Sequence, residues 1–107
     1  MIDPGRLRYR LVLEAPVETA DDCGGVARSY AAAETVWAAI EPLTTREVLD
    51  AEDLGGTLTH RITLRSGVTV TTRHRLTLGA RMFRIATVRD PDGSGRFIEI
   101  QAQERRD

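Results

Sequence analysis

Val36-Trp37-Ala38-Ala39-Ile40-Glu41-Pro42-Leu43, followed at once by Thr44-Thr45-Arg46-Glu47, is the stretch that decides the fold. Thr35 to Glu41 carries the β-branched residues Thr35, Val36 and Ile40 and reads as a strand. Pro42 cannot donate to a sheet ladder and stops it. Both alternating sets of this run are apolar, so period two does not say which face Trp37 takes. Such a run suits a strand covered on both sides, and the sole tryptophan is expected to be buried. Thr44 and Glu47 then stand at capping-box spacing. Val48, Ala51 and Leu54 follow at helical intervals, and Gly55-Gly56 supply a stop. A helix this short is marginal without tertiary contacts. Residues 44–56 are therefore expected to be a projecting loop with a short helix, ordered by its neighbours in an assembly.

Outward from this stretch the pattern is of short strands. Residues 6–14 alternate, with Leu7, Tyr9, Leu11 and Leu13 on one face and Arg6, Arg8 and Arg10 on the other. Pro16 is expected to end that strand, and residues 17–25 to form a polar connection closing in the turn Asp21-Asp22-Cys23-Gly24-Gly25. Residues 26–30 read as a short strand, and 31–34 are ambiguous between helix and strand. Residues 57–65 alternate again, with Leu58, His60, Ile62 and Leu64 against Arg61 and Arg65. Residues 68–72 read as weakly extended. Residues 75–78, 81–89 and 97–103 are strands, separated by Gly79-Ala80 and by Asp90-Pro91-Asp92-Gly93-Ser94-Gly95. The fold class is all-β and mainly antiparallel: six or seven short strands in a barrel or sandwich, with one long loop or short helix. The 107 residues make one domain, 1–107, with a projecting loop at 44–56.

Composition narrows the function. The formal charge is −1, so the chain lacks the clearly basic balance of a free-standing nucleic-acid binder. All 15 basic residues are arginine, whose planar forks suit interface ion pairs. Cys23 is the only cysteine, so no intrachain disulfide is expected. No apolar run has the length of a membrane helix or the form of a signal peptide.

Catalytic constellations are missing. His60 and His74 lack the tight spacing of a metal site, and Cys23 has no activating surroundings. There is no phosphate-binding loop, nucleophile elbow or dinucleotide fingerprint. The chain is not expected to be an enzyme, and no catalytic, cofactor or metal site is expected. Two surfaces remain. The rows Arg6, Arg8, Arg10 and Arg61, Arg65 are either solvated sheet faces or a subunit interface or phosphate contact. The segment holding Glu47, Asp50, Glu52 and Asp53 against Arg46 is either a solvated loop or a wall that DNA must pass. Carboxylates suit such a wall, because arginines would release counterions and hold the DNA.

Taken together, the chain resembles the phage head–tail joining family, the head-closure or stopper proteins of long-tailed phages. The resemblance is carried by Gly5-Arg6-Leu7-Arg8-Tyr9-Arg10-Leu11, by Asp21 to Gly25, and by Val36 to Leu43 with Glu47. Thr59-His60-Arg61-Ile62 and Gly79-Ala80-Arg81-Met82-Phe83-Arg84-Ile85 with Val88 and Asp90 complete it. Tyr9, Tyr30 and Cys23 depart from the residues common at those places. The resemblance implies a small β-barrel with a long loop at 44–56, assembled as a sixfold or twelvefold homo-oligomeric ring. Above it would lie the adaptor or portal, below it a tail terminator or tail tube protein. Double-stranded DNA would pass through without sequence-specific binding, in a virion or in a phage-like particle such as a gene transfer agent, assembled in the bacterial cytoplasm. A tail-completion ring protein and a small oligonucleotide-binding barrel are the competing readings. The second needs exposed aromatics along a basic groove, and the chain has few aromatics to supply them.

Overall fold

In the computed structural model, which describes residues 5, 7–20, 24–53 and 55–105, six antiparallel strands close into a barrel. The elements are β1 (Tyr9–Ala20), β2 (Val26–Pro42), α1 (Thr45–Asp53), β3 (His60–Arg65), β4 (Arg75–Leu78), β5 (Arg81–Arg89) and β6 (Phe97–Arg105). Around the barrel the order is β1-β2-β3-β6-β5-β4, and β4 returns to pair with β1. Closure removes the sheet edges within the barrel.

Alternation fills the interior. Leu11, Leu13, Val36, Ala38, Ile62, Leu64, Leu76, Phe83, Ile85, Ile100 and Ala102 form one buried cluster, at least one residue from every strand. These positions share a face on each strand because side chains alternate with period two. A second, smaller cluster of Leu7, Ala39 and Phe97 lies on the outer side of the wall. Between β4 and β5 the chain reverses in two residues, with Leu78 paired to Arg81 and Gly79 at φ 60°. A tight hairpin requires that left-handed conformation, which glycine adopts without steric cost.

The two longest strands depart from the sequence reading. Pro16 does not end β1, and residues 17–20 are strand, not loop. Residues 26–42 form one continuous β2 that includes Ala31 to Glu34. Beyond Glu14, β1 has only β2 as a partner, because β4 pairs with Val12 to Glu14 alone. A strand paired on one side is where proline is tolerated. The register shifts at Leu13/Glu14, where Ala33 is the extra residue, and beyond it the hairpin leaves the barrel as a two-stranded arm. Such a bulge bends and twists the ladder locally. The arm stretches the molecule to 50 × 32 × 27 Å. Of the turn predicted at Asp21 to Gly25, residues 21–23 lie outside the described residues, and Gly24 adopts φ 81°. Residues 57–59 precede β3 and 68–72 form no strand, although Val68 and Val70 pack on the core.

Trp37 is not buried. Val36 and Ala38 point into the barrel, so Trp37 between them points out and is 56 % exposed. Among the described residues the Arg10 guanidinium lies over it, 5.9 Å from the ring centroid. Leu7 and Phe97 cover the next outward position, Ala39, but not this one. Trp37→Ala is therefore expected to cost less than about 1 kcal/mol, the range of an exposed cation–π contact. Urea unfolding of the two proteins checks this. A loss of several kcal/mol would mean the indole is packed.

Candidate functional site

Three surface regions carry the chemistry, and α1 anchors the first. The capping box forms as the sequence predicts: the Glu47 N–H donates to Thr44 Oγ1 at 3.2 Å, and the Thr44 N–H donates to Glu47 Oε1 at 3.2 Å. At the other end the Gly56 N–H reaches the Ala51 carbonyl and the Gly55 N–H reaches the Glu52 carbonyl, each at 2.9 Å. This is a Schellman cap, with Gly55 at φ 84°. No side chain of the helix is buried. What holds it to the barrel is the Arg61 guanidinium on β3, which pairs with Glu47 and lies 3.9 Å from Glu41 and 3.8 Å from Glu99.

Glu47 is thus both cap and anchor. Its carboxyl is held below its ordinary value, first by the backbone N–H and hydroxyl of Thr44 and then by Arg61. A depressed carboxyl stabilises the folded form above its ordinary value of 4.5, and that contribution disappears as pH falls through the lower folded value. Acidification through that lower value, beneath 4.5, is expected to release the helix cap, and Glu47→Gln to remove that step. Amide shifts of Thr44 and Glu47 across the acid range report it. Shifts that titrate at the ordinary carboxylate position would contradict the cap's role.

Beneath α1 an open cavity of about 380 Å³ is lined by Glu47, Asp50, Ala51, Gly56, Leu58, Ala86, Thr87 and Gln101. Its walls are mainly apolar and its carboxylates come from the helix. Ala86 is the extra residue of the β5 bulge between Ile85 and Thr87. Glu52 and Asp53 are exposed and do not line it.

The second region surrounds Trp37. Arg10 stands opposite Trp37 in the β1–β2 register, and Arg65 lines the same shallow hollow as the indole, with Glu34, Val36 and Val68. Arg8 is exposed just before β1, the strand that carries Arg10. No carboxylate among the described residues pairs with Arg8, Arg10 or Arg65. The arginines expected to act together therefore separate: Arg10 and Arg65 meet around Trp37, Arg61 is committed to α1, and Arg6 lies outside the described residues.

The third region was not visible in the sequence. Arg28, Tyr30, Arg73, His74, Arg75, Arg84 and Arg105 converge with Pro16, Thr72 and Met82 on a cleft of about 430 Å³ at the base of the arm. Arg75 stacks on Tyr30 at 4.0 Å and donates to Glu14 at 2.5 Å. Glu18 accepts from Arg28 at 2.8 Å and Arg73 at 3.4 Å. These residues come from five strands and one loop, and only the barrel's closure assembles them.

At the lower rim of the barrel, Glu104 accepts two hydrogen bonds from Arg81, at 2.7 and 3.1 Å. This pairing raises the Arg81 value above that of a free guanidinium. His60 forms a T-shaped pair with Phe83 and lies 3.8 Å from Glu104. His74 hydrogen-bonds to Thr71. Both histidines are held in local structure, His60 at the barrel rim and His74 in the loop before β4.

Comparison with known proteins gives a family. The model of the phage head completion protein family matches residues 2–105. Among solved structures, protein SF1141 of Shigella flexneri 2a has a TM-score of 0.77 at 23 % identity, over 96 % of each chain, a likeness in fold. A chain from the virion of a native gene transfer agent particle has a TM-score of 0.66 at 28 % identity, covering 94 % of this chain and 97 % of that one. Comparison with curated protein sequences gave no match.

Proposed function

We propose that this chain, which belongs to the phage head completion protein family, is a non-catalytic neck protein that joins head to tail as a ring. The ring continues the DNA channel below the portal or adaptor, closes it after packaging and presents a docking surface to a tail terminator or tail tube protein. The observation that carries this reading is the match, along nearly the whole of both chains, to a chain of a gene transfer agent virion. Two surface features support it. An exposed tryptophan flanked by arginines is the composition of a protein interface core. A helix with carboxylates at Glu47, Asp50, Glu52 and Asp53 suits a wall that DNA passes without being held. The projecting segment 44–56 is assigned to that wall, with Glu52 and Asp53 nearest the DNA. The particle is assembled in the bacterial cytoplasm.

Removing the gene from a producing strain tests the role. DNA-filled heads that leak, together with unattached tails, are expected. Joined and stably filled particles would contradict it. The purified protein is expected to be a monomer or a weak oligomer, because among the described residues the exposed large apolar side chains are few: Tyr9, Val17, Val26, Trp37 and Leu49. Light scattering at micromolar concentration checks this; a stable ring without partners would contradict it.

A further inference from the structure

The Trp37 surface and the cavity under α1 are complementary in shape and in charge. One is an aromatic knob: an indole 56 % exposed, with Arg10 stacked beside it and Arg65 sharing its hollow. The other is an open, mainly apolar hole of about 380 Å³, large enough for an indole, with Glu47 and Asp50 on its helical wall. Asp50 has no ion-pair partner among the described residues, and neither do Arg10 and Arg65. Each surface alone leaves apolar area and charge facing water. Together they would bury the one and pair the other.

We propose that the Trp37 side chain of one copy seats in the α1 cavity of a second copy, with Arg10 and Arg65 facing Asp50 and Glu47. The knob lies on β2 and the hole over β5 and β6, which stand across the closed barrel from β1 and β2, so the two face away from each other and cannot be exchanged reciprocally across one twofold axis. The contact is heterologous, head to tail, and each subunit keeps a free knob and a free hole for the next. Contacts of that kind close into rings when the rotation permits. The inference rests on the ring reading and adds the surface that makes the ring. It also divides α1. Glu47, Asp50 and Ala51 face the neighbour, and Glu52 and Asp53 remain for the channel.

Tethered cysteines test it. Trp37→Cys with Ala51→Cys is made in a Cys23→Ser background, carried into particles, and treated with a short bis-maleimide. A ladder of covalent oligomers of this chain is expected, while either single-cysteine variant gives at most a faint dimer. Because Trp37→Cys removes the indole, the charges must hold the register. Adding Arg10→Glu and Arg65→Glu sets like charges against Asp50 and Glu47 and should lower the cross-linked fraction about tenfold or more. Several copies per particle without a ladder would overturn the contact and leave the ring standing. Particles lacking the protein, with heads and tails still joined, would overturn both. A ladder from Ala51→Cys with Arg84→Cys instead would seat α1 in the basic cleft and overturn the assignment. A Trp37 surface that cross-links to packaged DNA rather than to protein would overturn it too.

Discussion

Phe83→Ala is expected to lower stability by about 3–5 kcal/mol, the cost of removing a fully enclosed aromatic ring. Phe83 is the largest side chain with no solvent exposure. It stands on β5, opposite Leu76 on β4 and Glu104 on β6. The His60 and Phe83 rings form a T-shaped pair with centroids 5.6 Å apart, and the Arg81 guanidinium lies 5.1 Å from the Phe83 centroid. Removing it opens a void and also unseats the His60, Glu104 and Arg81 group. Domains of this size have about 5–15 kcal/mol in all, so the variant should keep only a weak cooperative transition. Phe83→Leu should retain most of the stability, because it restores much of the volume. Urea unfolding of the three proteins decides. A Phe83→Ala loss below about 1 kcal/mol would mean the barrel interior rearranges around the gap.

Arg61→Ala is expected to abolish the docked helix while leaving the barrel closed. Three carboxylates, Glu41, Glu47 and Glu99, converge on this guanidinium. Without it they face one another, and α1 has no buried side chain to hold it. An isolated helix of nine residues is unstable in water even when well capped. Amide exchange at residues 48–53 should rise to nearly unprotected rates, with exchange in β3 and β6 unchanged. Retained protection in α1 would show that its caps and partial contacts suffice. The variant should also fail to join heads to tails, because it removes the wall assigned to both the channel and the neighbouring subunit.

Much of the barrel was legible in the sequence for a simple reason. Leu11, Leu13, Ile62, Leu64, Leu76, Phe83, Ile85 and Ile100 alternate mostly with polar residues on strands wetted on one face, and there period two tells inside from outside. The Thr44 to Glu47 capping box and the Gly55 stop were equally plain, because both motifs are local. Trp37 was misread where that logic fails. Ala39 is covered from outside by Leu7 and Phe97, so β2 is apolar on both faces, yet the cover ends one pair of residues short of the indole. Pro16 was misread because a proline marks the end of a paired strand only when both sides need N–H donors. The arm's free side does not. The pairing of Arg61 with Glu47 and the basic cleft joining Arg28, Arg75, Arg84 and Arg105 depend on the order of strands around the barrel, which no local pattern encodes.

If this chain forms the ring between head and tail, it should be visible there. A reconstruction of the particle neck tests it most directly. Density for several copies of this barrel is expected in a closed ring around the DNA channel, between the portal-proximal proteins and the tail. Density for the barrel elsewhere on the particle, or as isolated copies not enclosing the channel, would contradict it.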